Sequence, residues 1–237
     1  MARREWYEKW FADEGLLGLH LTVGFIIALI AGVFFKLIAD EVFEAPGIRT
    51  ADAWAQAAAN DIASPGLTRF MEVVTYVGNP VTLTILSLAI ALLLYKEGSR
   101  RRLYTFSSIM GGGFLLNVLL KDAFHRTRPD LVQLIEAHGF SFPSGHSMGS
   151  MLFFGGLAYV LFFTAERHSI WRVIGVVVCF LASLLIGLSR VYLHVHFLSD
   201  VIAGFLAGLG WIGICVFGTE SWIRIRDRRR KRKATQA

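Results

Sequence analysis

The chain has 237 residues, of which 54% are hydrophobic and 18% charged, with a formal net charge of +6 and a mean hydropathy of +0.53. A soluble domain carries about a quarter charged residues, and here the apolar residues gather into runs of about 17–21, the length that crosses a hydrocarbon core. A soluble globular fold is excluded. The expectation is an all-α, polytopic membrane protein with six transmembrane helices, short outer surface helices and a single domain over residues 1–237.

The first span, Leu16–Phe35, carries no formal charge and is followed by Lys36, Asp40, Glu41 and Glu44. A cleaved leader is not expected, because its apolar core is about 7–15 residues long and ends at small residues. Thr50–Ala63 is Ala-rich and polar on one side, which predicts a short surface helix in the first loop. Leu67, Phe70, Met71, Val74 and Val77 have helical spacing. Asn79 then caps a helix whose first residue is Pro80 and which runs to Tyr95. That helix is short for a crossing, so the preceding amphipathic stretch either completes the span or lies in the outer interface. The remaining spans are Leu103–Leu120, Ser147–Ala165, Val173–Ser189 and Val201–Thr219. Cys179 and Cys215 fall inside spans and read as small buried hydrophobes. They suggest no disulfide framework and no zinc spacing.

Lys/Arg bias sets the orientation. Arg3, Arg4 and Lys9, the loops Lys96–Arg102 and Arg167–Arg172, and the tail are basic, whereas Asp40–Gly66 is acidic with Arg49 as its only basic residue. Both termini are therefore expected in the cytoplasm, residues 1–15 as a leading segment and 220–237 as a basic tail. The eight basic residues from Arg224 to Lys233 read as a flank near anionic lipid rather than a nucleic-acid surface. Trp6, Trp10, Trp171 and Trp222 sit near span ends, as interfacial aromatics do.

Six spans also bring three short strings to the outer face. They are Lys121–Pro129 with Arg128, Pro143-Ser144-Gly145-His146, and Ser189-Arg190 followed by His196 and Asp200. Charge at a bilayer surface needs partners, and an anionic substrate supplies them. Two guanidiniums and an ammonium (Arg128, Arg190, Lys121) suit the oxygens of a phosphomonoester. Ser144 can cap the helix that starts there, leaving free N–H groups for an anion. His196 and Asp200, four apart, share a face on a helix. The carboxylate can then orient the ring and present its other nitrogen as a base or nucleophile. Singly, each feature has a plainer structural explanation.

In the order Lys-x6-Arg-Pro, Pro-Ser-Gly-His and Ser-Arg-x5-His-x3-Asp, the chain resembles the type 2 phosphatidic acid phosphatase family. That family comprises membrane lipid phosphatases, glucose-6-phosphatase and soluble vanadium haloperoxidases. The resemblance implies that His196 attacks phosphorus to form a phosphohistidine, that Asp200 orients it, and that His146 protonates the leaving oxygen and then activates water. Lys121, Arg128, Arg190, Ser144 and the Gly145 backbone are implied to hold the phosphoryl oxygens. No metal or other cofactor is implied, and the sequence offers no obvious carboxylate cluster for one. His125 and Arg126 read as a solvated loop or as contacts to a distal phosphate. His194 points away from His196 on a helix, and His20, His138 and His168 read as structural or solvated. The expected partners are membrane lipids and a lipid phosphate: phosphatidylglycerophosphate, phosphatidic acid or undecaprenyl diphosphate. A bacterial-type enzyme of broad or undecaprenyl-type specificity is favoured. The rival is a non-catalytic lipid-phosphate binder or transporter, against which the intact His146, His196 and Asp200 argue.

Overall fold

The computed structural model describes residues 13–44, 47–164 and 170–236. They form helices α1 (Asp13–Glu44), α2 (Gly47–Asp61), α3 (Pro65–Val77), α4 (Pro80–Lys96), α5 (Arg100–Phe124), α6 (Gly145–Thr164), α7 (Ile170–Tyr192) and α8 (Leu198–Gln236). Among the described residues there is no strand. Arg3, Arg4, Trp6, Lys9, Trp10, Arg167, His168 and the side chain of His20 lie outside what is described, as do most side chains of the basic tail.

Among the described residues, five helices are long and apolar enough to cross a membrane. The bent pair α3–α4, with 46° between its arms, makes a sixth if counted as one span. The bend falls at Gly78-Asn79-Pro80, where Oδ1 of Asn79 accepts from the Val81 N–H at 2.9 Å. That cap satisfies one of the free donors at the start of α4.

Two helices outrun their expected ends. α1 continues beyond Phe35 to Glu44, where Ala39 and Val42 bury against Phe142 and Ala203 and Lys36 pairs with Asp40 at i,i+4, with 2.5 Å between them. Such a pair supports another helical turn. α8 continues through Thr219 and the basic segment to Gln236.

α8 packs along α1 and against α6, while α6 also packs on α7 and α5. Gly24 and Gly213 set the α1–α8 crossing. A Cβ at Gly213 would stand 2.6 Å from the Gly24 carbonyl oxygen, so only glycine allows this approach. Inside the bundle, Ile109, Met148, Leu152 and Cys215 join α5, α6 and α8. Leu83, Phe106, Phe153 and Val160 join α4 to α5 and α6. Phe25, Leu29, Val33 and Leu37 of α1, Phe114 and Leu115 of α5, and Val177 and Phe180 of α7 are exposed, as lipid-facing stripes are.

The two ends of the bundle differ. One end gathers the C-termini of α5 and α7 and the N-termini of α6 and α8. The short helix α2 seats against it, with Ala55 packed on Val191 and Val201.

Candidate active site

The Lys121 string leaves α5 through His125, whose φ of 46° turns the chain while its N–H bonds back to the Lys121 carbonyl. The following loop has no regular structure but is pinned. Ser141 N–H donates to the Arg126 carbonyl at 2.8 Å, and Ser141 Oγ donates to that of Thr127 at 2.8 Å. Arg128 donates to the carbonyls of Gly139 (3.1 Å), His138 (2.8 Å) and Val195 (2.7 Å). So held, its Nη1 stands 3.4 Å from Nε2 of His196. Lys121 reaches over the same loop to the Phe140 carbonyl at 2.6 Å.

Arg190 closes α7 and is almost fully buried. Its Nη1 donates to Oγ1 of Thr75 on α3 at 2.7 Å, while its buried Nε has no partner. The chain then turns sharply. The N–H groups of Val195 and His196 both donate to the Arg190 carbonyl, at 3.2 and 3.3 Å.

His196 therefore lies in a tight turn ahead of α8, not on the helix that the i,i+4 spacing suggested. It still meets Asp200. Nδ1 of His196 and Oδ2 of Asp200 are 3.4 Å apart, although the angle does not complete a hydrogen bond. Asp200 is the third residue of α8, and its Oδ2 accepts from the Phe197 N–H at 3.0 Å. A carboxylate that reaches back to the cap in this way suits a helix N-terminus. His196 is 2% exposed and Asp200 0%. Burial drives the His196 pKa down to about 4; Asp200 pulls against this, and the Arg190 and Arg128 charges add to it. The ring is thus neutral near pH 7, and its Nε2 faces the Arg128 guanidinium.

The Pro143–His146 string starts α6 directly beside α8. Ser144 N–H donates to the Asp200 carbonyl at 3.0 Å. Its hydroxyl is fully buried and engaged by Ser147, through Oγ at 2.9 Å and N–H at 3.4 Å. Ser144 thus acts as the helix cap here. A Cβ at Gly204 would sit 2.7 Å from the Ser144 carbonyl oxygen, so glycine lets α8 approach this turn. Gly145 faces Asn117 and Lys121, which a Cβ there would meet at 3.2 and 3.6 Å. His146 is half-buried, within electrostatic range of Arg190, His196, Arg128 and Lys121. Lys121, Arg128, Ser144, Gly145, His146, Arg190, His196 and Asp200 are thus all brought to one end of the bundle.

Several neighbours of this cluster were not expected. Arg126 is neither a solvated loop residue nor free for a distal phosphate. Its Nη1 donates to Asp200 Oδ1 at 2.5 Å and Ser199 Oγ at 2.8 Å, and its Nη2 to Asp52 Oδ2 at 2.9 Å. It also lies over the Phe197 ring, 4.1 Å from the centroid. Asp52 on α2 accepts from the N–H and Oγ of Ser199, at 2.8 and 2.7 Å. Gln56, one helical turn on, donates to the His196 carbonyl at 3.0 Å. The spacing of Asp52, Ala55, Gln56 and Ala59, all buried, is a readable helical stripe. The sequence gives no hint of where that stripe docks. His194 takes a left-handed φ of 59°, with Nδ1 3.3 Å from the Val132 carbonyl oxygen and thus outside the cluster. His125 is exposed and sits edge-on to Phe140 with 4.4 Å between ring centroids.

A cavity of about 580 Å³ runs from this end of the bundle between α4, α5 and α6. Gly78, Asn117 and Gly145 border it beside the cluster, and Leu88, Phe106 and Met110 line its apolar length. Among the described residues, no three His, Cys, Asp or Glu side chains gather as a metal-binding group. What the site offers an incoming group is cationic: one guanidinium fixed by carbonyls, another with a buried unused N–H, and an ammonium.

Family comparison agrees with this arrangement. Residues 102–223 match the model of the PAP2 superfamily. Phosphatidylglycerophosphatase B of Bacillus subtilis is 32% identical over 184 residues, covering 75% of this chain and 87% of that protein. A lipid A 1-phosphatase of Rhizobium etli is 35% identical over 122 residues, 47% of each chain. The fold matches the crystal structure of the transmembrane PAP2-type phosphatidylglycerolphosphate phosphatase of B. subtilis, with a TM-score of 0.73 and 29% identity over 84% of this chain and 96% of that one. Aquifex aeolicus LpxE matches with a TM-score of 0.53 and 25% identity, over 69% and 91%. The chain belongs to the PAP2 superfamily. Within it, this protein is a multi-pass membrane member and a lipid phosphatase.

Proposed function

We propose that the protein removes the phosphate of a membrane lipid monoester, phosphatidylglycerophosphate first among them, through a phosphohistidine on His196. The observation that carries this reading is the juxtaposition of a buried, carboxylate-backed His196 with Arg128, 3.4 Å from its Nε2. A binding site for an anion needs no buried histidine–aspartate pair. A nucleophile does.

In the first step Nε2 of His196 attacks phosphorus as the phosphorus–oxygen bond to the lipid breaks. His146 donates its proton to the departing lipid oxygen. Asp200 faces the Nδ1–H and offsets the positive charge that forms on the ring. In the second step His146 takes a proton from water, whose oxygen attacks phosphorus. The nitrogen–phosphorus bond breaks, and inorganic phosphate and neutral His196 result. Lys121, Arg128, the unpartnered Nε–H of Arg190 and the backbone at Gly145 hold the equatorial oxygens through both steps. Fixed donors of this kind stabilise the charge of the transition state without reorganising.

The groove between α4, α5 and α6 supports a lipid substrate, since it offers an apolar bed to a chain whose phosphate lies in the cluster. The names of the B. subtilis relatives favour phosphatidylglycerophosphate over the undecaprenyl-type specificity expected from the sequence. Residues 1–237 act as a single integral-membrane domain. The basic loop Lys96–Arg102 at the far end of the bundle supports cytoplasmic termini and a catalytic end on the outer face of the cell membrane. Phosphate release from purified protein, given phosphatidylglycerophosphate, phosphatidic acid and undecaprenyl diphosphate side by side, tests the reading. The highest kcat/KM is expected for the first. Lipid binding with no phosphate released from any of them overturns it.

A further inference from the structure

Asp52 lies outside the 102–223 region that matches the superfamily, yet the residue is 2% exposed and its side chain is tied to the catalytic end of the bundle. Its two oxygens are fully accounted for. Oδ1 accepts from Ser199 N–H, and Oδ2 from Ser199 Oγ and from Arg126. Arg126 in turn spans Asp52 and Asp200, at 2.9 and 2.5 Å.

We propose that Asp52 and Arg126 form, with Asp200, a buried charge cluster that aims the Asp200 carboxylate and leaves one net negative charge behind His196. The argument rests on His196 being the nucleophile. Paired with Arg126 alone, Asp200 would belong to a neutral ion pair. It would then offer little net attraction to the cation that forms when Nε2 bonds to phosphorus. The second carboxylate restores that attraction, since two carboxylates against one guanidinium leave one negative charge. In a buried site such a charge is felt far more strongly than in water. The groups facing His196 from elsewhere cannot supply it. Arg128 from the loop, Arg190 from α7 and His146 from α6 are cationic or neutral, and Lys121 of α5 stands beyond them. A clamp that merely docked α2 would need hydrogen bonds but no odd charge. Asp52 and Arg126 are thus positioning residues that act on the reaction through Asp200.

The test compares Asp52→Asn, Arg126→Gln and the double variant, with dioctanoyl phosphatidic acid in detergent micelles. D52N is expected to lower kcat about tenfold or more with KM within about twofold, and to move the acid limb of the kcat profile to lower pH. R126Q leaves two facing carboxylates and moves that limb to higher pH. The double variant again leaves one negative charge, so it recovers kcat at least about threefold over D52N and returns the limb towards the parent position. Such recovery is the non-additive result a coupled network gives. Limbs that shift together or stay fixed, or a double variant as weak as the singles multiplied, overturn the proposal. Ser199→Ala loosens the same clamp without changing charge. It should lower the thermal midpoint and leave the limb in place, and a limb shifted as in D52N overturns the charge account. If a single variant fails to fold, the double variant and S199A decide the matter. Phosphoenzyme trapping on the parent protein tests the nucleophile separately, so the two failures are distinguishable.

Discussion

Nη1 of Arg128 lies 3.4 Å from Nε2 of His196, the atom proposed to attack phosphorus. Three backbone carbonyls hold the guanidinium there. A phosphoryl group attacked by Nε2 would therefore meet beside it a guanidinium that is already oriented.

Arg190 is the second fixed cation, and Thr75 is its anchor at 2.7 Å. Arg190→Ala is expected to lower kcat by about 10²–10³-fold, as loss of an oxyanion donor does. Thr75→Val keeps the cation and releases its anchor, so kcat/KM should fall by roughly five- to tenfold. Steady-state kinetics on a short-chain lipid phosphate check both. Equal losses would place Thr75 in direct contact with substrate.

In the proposed reading the apolar groove takes the lipid tail, apart from the chemistry. Gly111 lines it, and a Cβ there meets nothing within 4 Å. Gly111→Leu should therefore fill the groove without disturbing the bundle. KM for dioleoyl phosphatidic acid is expected to rise about tenfold, against less than about twofold for a soluble short-chain monoester. A uniform change for both substrates would mean that the tail lies elsewhere.

Burial lowers the His196 pKa from 6.5 to about 4. The folded value lies below the unfolded one, so between them the unfolded chain binds more protons. Stability from the neutral ring is therefore fully present above about pH 6.5 and is lost as pH falls towards 4. The neutral ring is also the proposed nucleophile. The rate of phosphoenzyme formation at saturating substrate should fall with a midpoint below about pH 5, measured by rapid quench. A midpoint at the ordinary imidazole value of about 6.5 would contradict the buried, neutral state.

Much of this was legible in the sequence, because its strongest signals are local. The apolar runs give the spans, and Asn79-Pro80 gives the start of α4, where the cap and Pro80 stand as expected. The convergence of Lys121, His146, Arg190 and Asp200 follows from counting span ends. The His196–Asp200 contact was expected for a different reason. It arises from a turn closed on the Arg190 carbonyl, not from a helical face. Arg126, Asp52, Gln56 and Thr75 were missed because their partners lie 74, 147, 140 and 115 positions away. No periodicity encodes such distances. The left-handed turn at His194 was equally invisible, since positive φ is enriched at histidine but is still a minority conformation there.

In the proposed mechanism the cage of three cations balances phosphate charge by itself. Activity purified through and assayed in millimolar EDTA is expected to stay within about 20% of the untreated rate. Loss on chelation with recovery on adding a divalent ion would show that phosphate charge is balanced otherwise.

The central claim is that His196 carries the phosphoryl group during turnover. Rapid quench with ³²P-labelled lipid phosphate, followed by peptide mapping, tests it most directly. The expected product is an acid-labile, base-stable label on His196, absent from His196→Ala, whose turnover falls by at least about 10³-fold. Label on another residue, or turnover in His196→Ala near that of the parent, would contradict the claim.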